Sequence, residues 1–325
     1  MKKVRWGILS TAKIGREKVI PALQKGNHGE VVAIASGNIG QLEDIAANFH
    51  IPRTYHTYEK LLADPEIDAV YIPLPNHLHV EWSIKAIHAG KHVLCEKPLG
   101  LSSAEAQQLV EVSRQHPHLI VMEAFMYRFH PQWRAAKQLV DGGRIGELKT
   151  IQSFFSYHNV DPSNIRNRKE VGGGAVMDIG CYCVSFARFL FGQEPEKIFT
   201  VIDTDPVMEI DRMASVLLQF PKGTSTFVCS TQLFPYQRVN IIGTKGRIEI
   251  DIPVNAPPDK ITRINFFSAD GIEEMLFDPV DQYTIQGDEF CRAILNIGGV
   301  LPPLEEAVNN MKVLEAILKS PRPET

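Results

Sequence analysis

Two stretches hold the side chains best suited to chemistry. Cys95-Glu96-Lys97-Pro98 follows the strand-like run His92 to Cys95, and Gly172-Gly173-Gly174-Ala175-Val176-Met177-Asp178-Ile179-Gly180-Cys181-Tyr182-Cys183 lies in the second half of the chain. A lysine just past a buried strand can do acid–base or charge-stabilising work if it points into a crevice; pointing outward, it is a solvated surface residue. Pro98 makes the preceding backbone extended, or cis at small cost, and either form would fix the direction of Lys97; a plain strand-ending turn is the other reading. The glycine run reads as a loop feeding a helix on which Asp178 and Tyr182, four apart, share a face. On a bare structural account Asp178 is a first-turn acid favoured by the helix dipole, and Tyr182 a core aromatic with a satisfied hydroxyl.

The elements that must position these residues alternate. Val4 to Leu9 is β-like, and Ile14 to Gln24 is helical, interrupted near Pro21 and closed by Gly26. Strands at Val31 to Ala35, Ala69 to Ile72, His92 to Cys95 and Leu119 to Met122 are separated by helices at Gln41 to Phe49, His79 to His88 and Ala104 to Arg114, the last entered through Ser102 or Ser103. This alternation implies a parallel, doubly wound sheet complete by Ala124, so residues 1–124 form the expected first domain.

Ser10-Thr11-Ala12-Lys13-Ile14-Gly15 then lies where a strand turns into a helix, the place where free backbone N–H groups and the helix dipole can hold a pyrophosphate. The G-x-G-x-x-G fingerprint is degenerate: Ser10 and Ala12 stand at the first two glycine positions, Gly15 remains, and Gly7 lies upstream in the strand. The hydroxyls of Ser10 and Thr11 are possible donors to phosphate; an ordinary capped β–α turn is the competing reading. After the second strand comes Ser36-Gly37-Asn38 rather than the carboxylate that grips a ribose 2′-hydroxyl, which tilts the expectation from NAD toward NADP. No arginine is there to clamp a 2′-phosphate, leaving Ser36, Asn38 and Lys13 to share that work. Leu74, Pro75, Asn76 and His79 after the third strand, and Glu96 and Lys97 after the fourth, occupy the strand ends where open α/β sheets bind ligands.

Beyond Ala124 the rhythm changes. A helix at Gln132 to Val140 is followed by alternating stretches at Lys149 to Tyr157, Ala214 to Gln219, Thr224 to Thr231, Arg238 to Ile242 and Arg247 to Ile252, which read as a large, mostly antiparallel sheet. Helices at Asp288 to Leu295 and, after Pro302-Pro303, Leu304 to Leu318 close an expected α+β domain over 125–325.

Taken in order, Trp6 to Ile14, Pro73 to His79, Glu96-Lys97-Pro98, Glu123-Ala124-Phe125-Met126-Tyr127-Arg128-Phe129-His130-Pro131 and Gly172 to Tyr182 resemble the glucose-fructose oxidoreductase and inositol dehydrogenase (Gfo/Idh/MocA) family, over essentially the whole chain. Many members carry histidine where this chain has Tyr182. The tyrosine version is similar to the branch containing dimeric dihydrodiol dehydrogenases, D-xylose dehydrogenases and glucose-fructose oxidoreductase itself. That branch often has arginine where Gly37 stands, a departure that puts cofactor choice in doubt.

The resemblance implies hydride transfer between a nicotinamide and a sugar, polyol or cyclic diol. Tyr182 would be the acid–base group and the Lys97 ammonium would lower its pKa from about 10, the two titrating as a coupled pair. Asp178 would orient Lys97 or the substrate hydroxyl, and Phe125, Arg128, Phe154, His158 and Arg166 would line the substrate pocket. A dinucleotide-sensing regulator on the same fold is the rival reading, against which the joint presence of Lys97, Asp178 and Tyr182 speaks.

Composition narrows the partners. A net charge of -4 without a Lys/Arg block argues against nucleic acid and anionic membranes, and no apolar run approaches the length of a bilayer span. The five cysteines show no metal-ligand spacing and an odd count, so buried reduced thiols and no metal are expected. The N-terminus leaves no room for a leader, which makes a cytoplasmic location the expectation. An open-faced antiparallel sheet commonly packs on another subunit, so a homodimer or homotetramer is expected.

Overall fold

The structure, a computed structural model, describes residues 2–320. The chain forms two compact units, residues 2–126 with 281–308, and residues 127–280 with 309–320.

The first unit is built on six parallel strands: β1 (Val4–Leu9), β2 (Gly29–Ala35), β3 (Arg53–Tyr55), β4 (Ala69–Ile72), β5 (His92–Cys95) and β6 (Val121–Glu123), in the order β3-β2-β1-β4-β5-β6. Every residue of β4 is buried. This is why the central strands read as unbroken apolar runs, since crossover helices cover both faces of such a sheet. The chain order reverses between β1 and β4, and the crevice at that switch point, outside the strand C-termini, is where doubly wound sheets bind ligands. The expected alternation is present, with β3 and the helix Tyr58–Leu62 added: each is too short for a periodic signal.

A division at residue 124 does not describe these units. Residues 281–308 return to the first unit, where the helix Gln282–Ile294 packs Phe290 against Trp6, ring centroids 5.3 Å apart. The Trp6 indole N–H donates to Cys291 Sγ at 3.3 Å, and Asp288 accepts from the backbone of Asn27 and His28 at 2.9 and 3.0 Å. Trp6 is fully buried, and the apolar face of a distant helix completes its enclosure.

The second unit holds eight strands: β7 (Leu148–His158), β8 (Lys197–Thr204), β9 (Asp211–Phe220), β10 (Gly223–Ser230), β11 (Gln232–Gly243), β12 (Gly246–Ile250), β13 (Thr262–Ser268) and β14 (Gly271–Phe277). Their order is β14-β13-β12-β11-β7-β10-β9-β8, antiparallel throughout except for β7 beside β10. Alternate residues of β9 (Ala214, Val216, Leu218, Phe220) are buried, and the helices Pro131–Asp141 and Cys181–Phe191 pack on the sheet. Phe199, Val201, Ile272 and Leu276 stay exposed. Both expected sheets are therefore present, the second mostly antiparallel and open-faced.

All five cysteines are free and buried. The helical stretch Lys169–Phe191 has the length and hydropathy of a membrane span, but it is mostly buried inside the protein, as a core helix is.

Candidate active site

The predicted nucleotide residues gather at the C-terminal edge of the parallel sheet, at the ends of β1, β2, β4 and β5. Ser10 adopts φ +113°, a region normally left to glycine, and its Oγ accepts from the Ala12 N–H at 2.9 Å. The first glycine of the fingerprint has thus been replaced in chemistry but not in conformation, at a strain on the order of 1–3 kcal/mol. The Thr11 hydroxyl donates to Gln41 Oε1 at 2.7 Å, across to the segment that follows β2. Gly7 has a packing role: a Cβ there would lie 2.7 Å from Leu61 and 3.2 Å from Ile67. Lys13, near the start of the helix at Ile14, is exposed and 3.8 Å from Glu17. Asn38 caps the helix Ile39–Asn48 by accepting from Gln41 N, Ser36 Oγ accepts from Asn38 N at 3.1 Å, and a Cβ at Gly37 would meet nothing within 4 Å. A helix start after β1, a turn after β2 free of carboxylate, and open space beside Gly37 fit an NAD(P) dinucleotide.

Lys97 is half-buried at the end of β5 and precedes a cis bond to Pro98. Beside it, the Glu96 carboxylate accepts from the buried Tyr71 hydroxyl at 2.7 Å and from Lys97 N at 3.3 Å. Burial first, and the Glu96 charge second, push the Tyr71 phenol well above its usual range. His79 is buried with Nδ1 2.8 Å from Pro98 O and Nε2 2.7 Å from Leu74 O. Burial lowers this ring to about 4, against the upward pull of the two carbonyls. With a backbone carbonyl against each ring nitrogen, His79 lies between the Leu74-Pro75-Asn76 loop and the segment after Lys97 and links the two.

In the second unit the glycine loop ends at Gly174, and the helix opens with a π turn, Val176–Gly180, running into the α-helix Cys181–Phe191. π turns inside helices are frequent at functional sites. Asp178 lies in the π turn and Tyr182 one turn on. Asp178 Oδ2 accepts from the Tyr157 hydroxyl at 2.5 Å and from Arg166 Nε at 3.1 Å. Burial and then the Asp178 charge raise the Tyr157 phenol; the same charge holds the Arg166 guanidinium more firmly protonated, and Tyr182 adds to that effect. Tyr182 is buried among Phe155, Tyr127 and Phe186, at centroid distances of 5.9, 6.1 and 6.4 Å.

The remaining pocket residues separate. Arg166 reaches the Asp178 cluster, and Tyr157 joins it unforeseen. Phe154 does not: Tyr157 and Phe155 point to the helix side of β7, so Phe154 faces the opposite side, where it meets Tyr236 at 5.4 Å. His158 is exposed at the end of the same strand. Arg128 bonds Ser185 Oγ at 3.2 Å and lies over the Phe189 ring, bracing the tyrosine helix. Phe125 is buried in the first unit. Among the described residues no group of His, Cys, Asp and Glu is arranged to hold a metal.

The family models for the NAD-binding Rossmann oxidoreductase fold and for the GFO/IDH/MocA C-terminal domain match residues 4–125 and 133–249. The chain belongs to the Gfo/Idh/MocA oxidoreductase family. It is an NAD(P)-dependent enzyme of that family. It is 37% identical to D-xylose 1-dehydrogenase (NADP(+)) 2 of Haloferax volcanii, over 97% of this chain and 96% of that one. It is 34% identical to the mouse trans-1,2-dihydrobenzene-1,2-diol dehydrogenase, over 76% of this chain and 74% of the relative. The structure of KijD10, a 3-ketoreductase from Actinomadura kijaniata in complex with NADP and TDP-benzene, superposes with a TM-score of 0.91 at 28% identity, covering 99% and 98% of the two chains.

The open space at Gly37 gives a direct test of the cofactor edge. Gly37→Arg should raise the preference for NADPH over NADH by about tenfold, through charge-assisted bonds to the 2′-phosphate. Fluorescence titration with both nucleotides reads this, and an unchanged ratio would place the 2′-position elsewhere.

Proposed function

We propose that this oxidoreductase moves a hydride between a nicotinamide cofactor, NADP in preference to NAD, and a carbinol carbon of a sugar, polyol or cyclic diol. The observation that carries the reading is the tyrosine helix, where Tyr182 follows by one turn an Asp178 held by Tyr157 and Arg166. The relatives support the substrate class: one is named for D-xylose, one for a dihydrobenzene diol, one as a 3-ketoreductase. The missing carboxylate after β2 and the NADP named for two of those proteins support the cofactor choice.

A nicotinamide, when bound, would supply or receive the hydride. Residues of the chain handle the proton. Tyr182 takes it from the substrate hydroxyl in oxidation and returns it in reduction. The Lys97 ammonium favours the phenolate by charge. Glu96 and the His79 tie hold the backbone at Lys97. Asp178, with two donors on one oxygen, keeps its direction beside Tyr182, and Arg166 holds that anion in place.

The open face of the second sheet supports assembly. Phe199, Val201, Ser215, Leu217, Thr226 and Val228 line one apolar groove on β8, β9 and β10, and a second copy of the chain is the proposed occupant, giving a homodimer or homotetramer. Sedimentation should show an oligomer that Phe199→Glu dissociates; a monomeric wild-type protein would overturn this.

The catalytic reading is tested by titrating the protein with NADPH and NADH, then offering aldoses, polyols, dihydrodiols and diketones while following nicotinamide absorbance. Turnover is expected, and Tyr182→Phe should lower it by roughly 10²-fold or more with nucleotide affinity nearly unchanged. Nucleotide binding without turnover on any substrate would favour a dinucleotide sensor. A Tyr182→Phe enzyme as fast as wild type would remove the tyrosine from the mechanism.

A further inference from the structure

The helix carrying Asp178 and Tyr182 begins without a cap of its own. Its first intrahelical bond runs from Asp178 N to Gly174 O at 3.0 Å, which makes Gly174, a residue with no side chain, the N-cap. Helix starts leave several backbone N–H groups without intrahelical partners, and Ser, Thr, Asp or Asn at the cap normally accepts from one of them. Here the acceptor comes from a strand far along the chain. Asp211, the first residue of β9, takes the Val176 N–H on Oδ2 at 2.6 Å, and the Ala175 N–H also bonds this carboxyl. Gly174 sits at φ +112°, and a Cβ there would lie only 1.9 Å from Asp211 Oδ1. The glycine and the aspartate therefore require each other: a local capping side chain would occupy the space the remote carboxyl fills.

Val176 connects this cap to the chemistry. Its N–H is held by Asp211, and its carbonyl accepts the i→i−5 bond from Cys181 N that closes the π turn, one residue before Tyr182. Asp178 lies inside the same turn. A π turn is a local departure from helical register, so whatever fixes its first peptide also fixes where the next side chains point. The Asp211 carboxyl has no ion-pair partner among the described contacts; its bonds go to backbone N–H groups.

We propose that Asp211 is a positioning residue for Tyr182, acting as a long-range N-cap that sets the π turn and with it the direction of the phenol. The proposal rests on the reading of Tyr182 as the acid–base group. It concerns residues of the second unit only, so nucleotide binding by the first unit should not respond to it.

The test compares Asp211→Ala, Asp211→Asn and Asp211→Glu in the full-length enzyme, each also combined with Tyr182→Phe, reading kcat, KM, the NADPH dissociation constant and Tm. Asp211→Ala should lower kcat about tenfold, with NADPH affinity within about twofold of wild type. Asp211→Asn keeps one carbonyl oxygen in place for the Val176 N–H and should recover most of the loss. Asp211→Glu keeps the carboxyl but displaces its oxygens and should recover little. In the Tyr182→Phe background, Asp211→Ala should lower kcat no further, because its effect passes through the phenol. Wild-type kcat in folded Asp211→Ala would overturn the proposal, as would a full tenfold further loss in the Tyr182→Phe background. If Asp211→Ala does not fold, the order Asn above Glu in kcat supports the proposal and the reverse order overturns it. A Tyr182→Phe enzyme with wild-type turnover would instead reject the tyrosine reading itself, and that measurement does not involve Asp211.

Discussion

The second unit depends on one constraint: a helix buried on nearly every side still carries polar groups, and each must find a partner. From Cys181 to Arg188 every residue is buried. Ser185 meets the Tyr127 hydroxyl at 2.7 Å, and Arg188 meets the Glu194 carboxylate through two bonds of 2.6 Å. The Cys181 carbonyl takes a bond from Asn310, brought in by the last helix. Asp178 is held by Tyr157 and Arg166. Leaving one of these buried polar groups without any partner would cost about 1–3 kcal/mol. These bonds hold the helix in place, which suits the role proposed for the Tyr182 phenol.

The first unit answers a different demand. A parallel sheet covered on both faces leaves only its strand ends for chemistry, and the chain crowds its special conformations there: a serine in glycine-like backbone at β1, a cis peptide after β5, and a buried histidine between two carbonyls. The strain in the Ser10 backbone persists because the surrounding structure over-determines it. The family assignment follows from both units together, since each is matched by its own model.

Much of this was legible in the sequence, because buried strands and amphipathic helices write their periods plainly. The runs at Val4 to Leu9, Ala69 to Ile72 and Thr224 to Thr231 fell where strands are found. β3 escaped by its length of three residues, and β8 and β14 are edge strands with large apolar residues left exposed. Phe154 and Phe155 show the limit of alternation: the period of two is visible, but which phase faces the helix depends on partners the sequence does not name. The Thr11 hydroxyl, a donor by type, bonds Gln41 beyond β2, a partner 30 residues away that no local pattern names. Asp211 left no local signal, since it lies 35 residues from the peptide it caps. The glycine at position 174 was the one trace of it, and reading that trace required knowing what occupied the space of the missing Cβ.

Tyr182 is proposed to exchange the substrate proton, with the Lys97 charge poising it. The most direct measurement is the pH dependence of kcat/KM for alcohol oxidation in wild type and Lys97→Ala. A cation near a phenol lowers its pKa, so removing the lysine should slow the enzyme and move the limb that reports the phenolate to higher pH by about one unit or more. Profiles of the same shape and position in the two proteins would contradict the coupling on which the account rests.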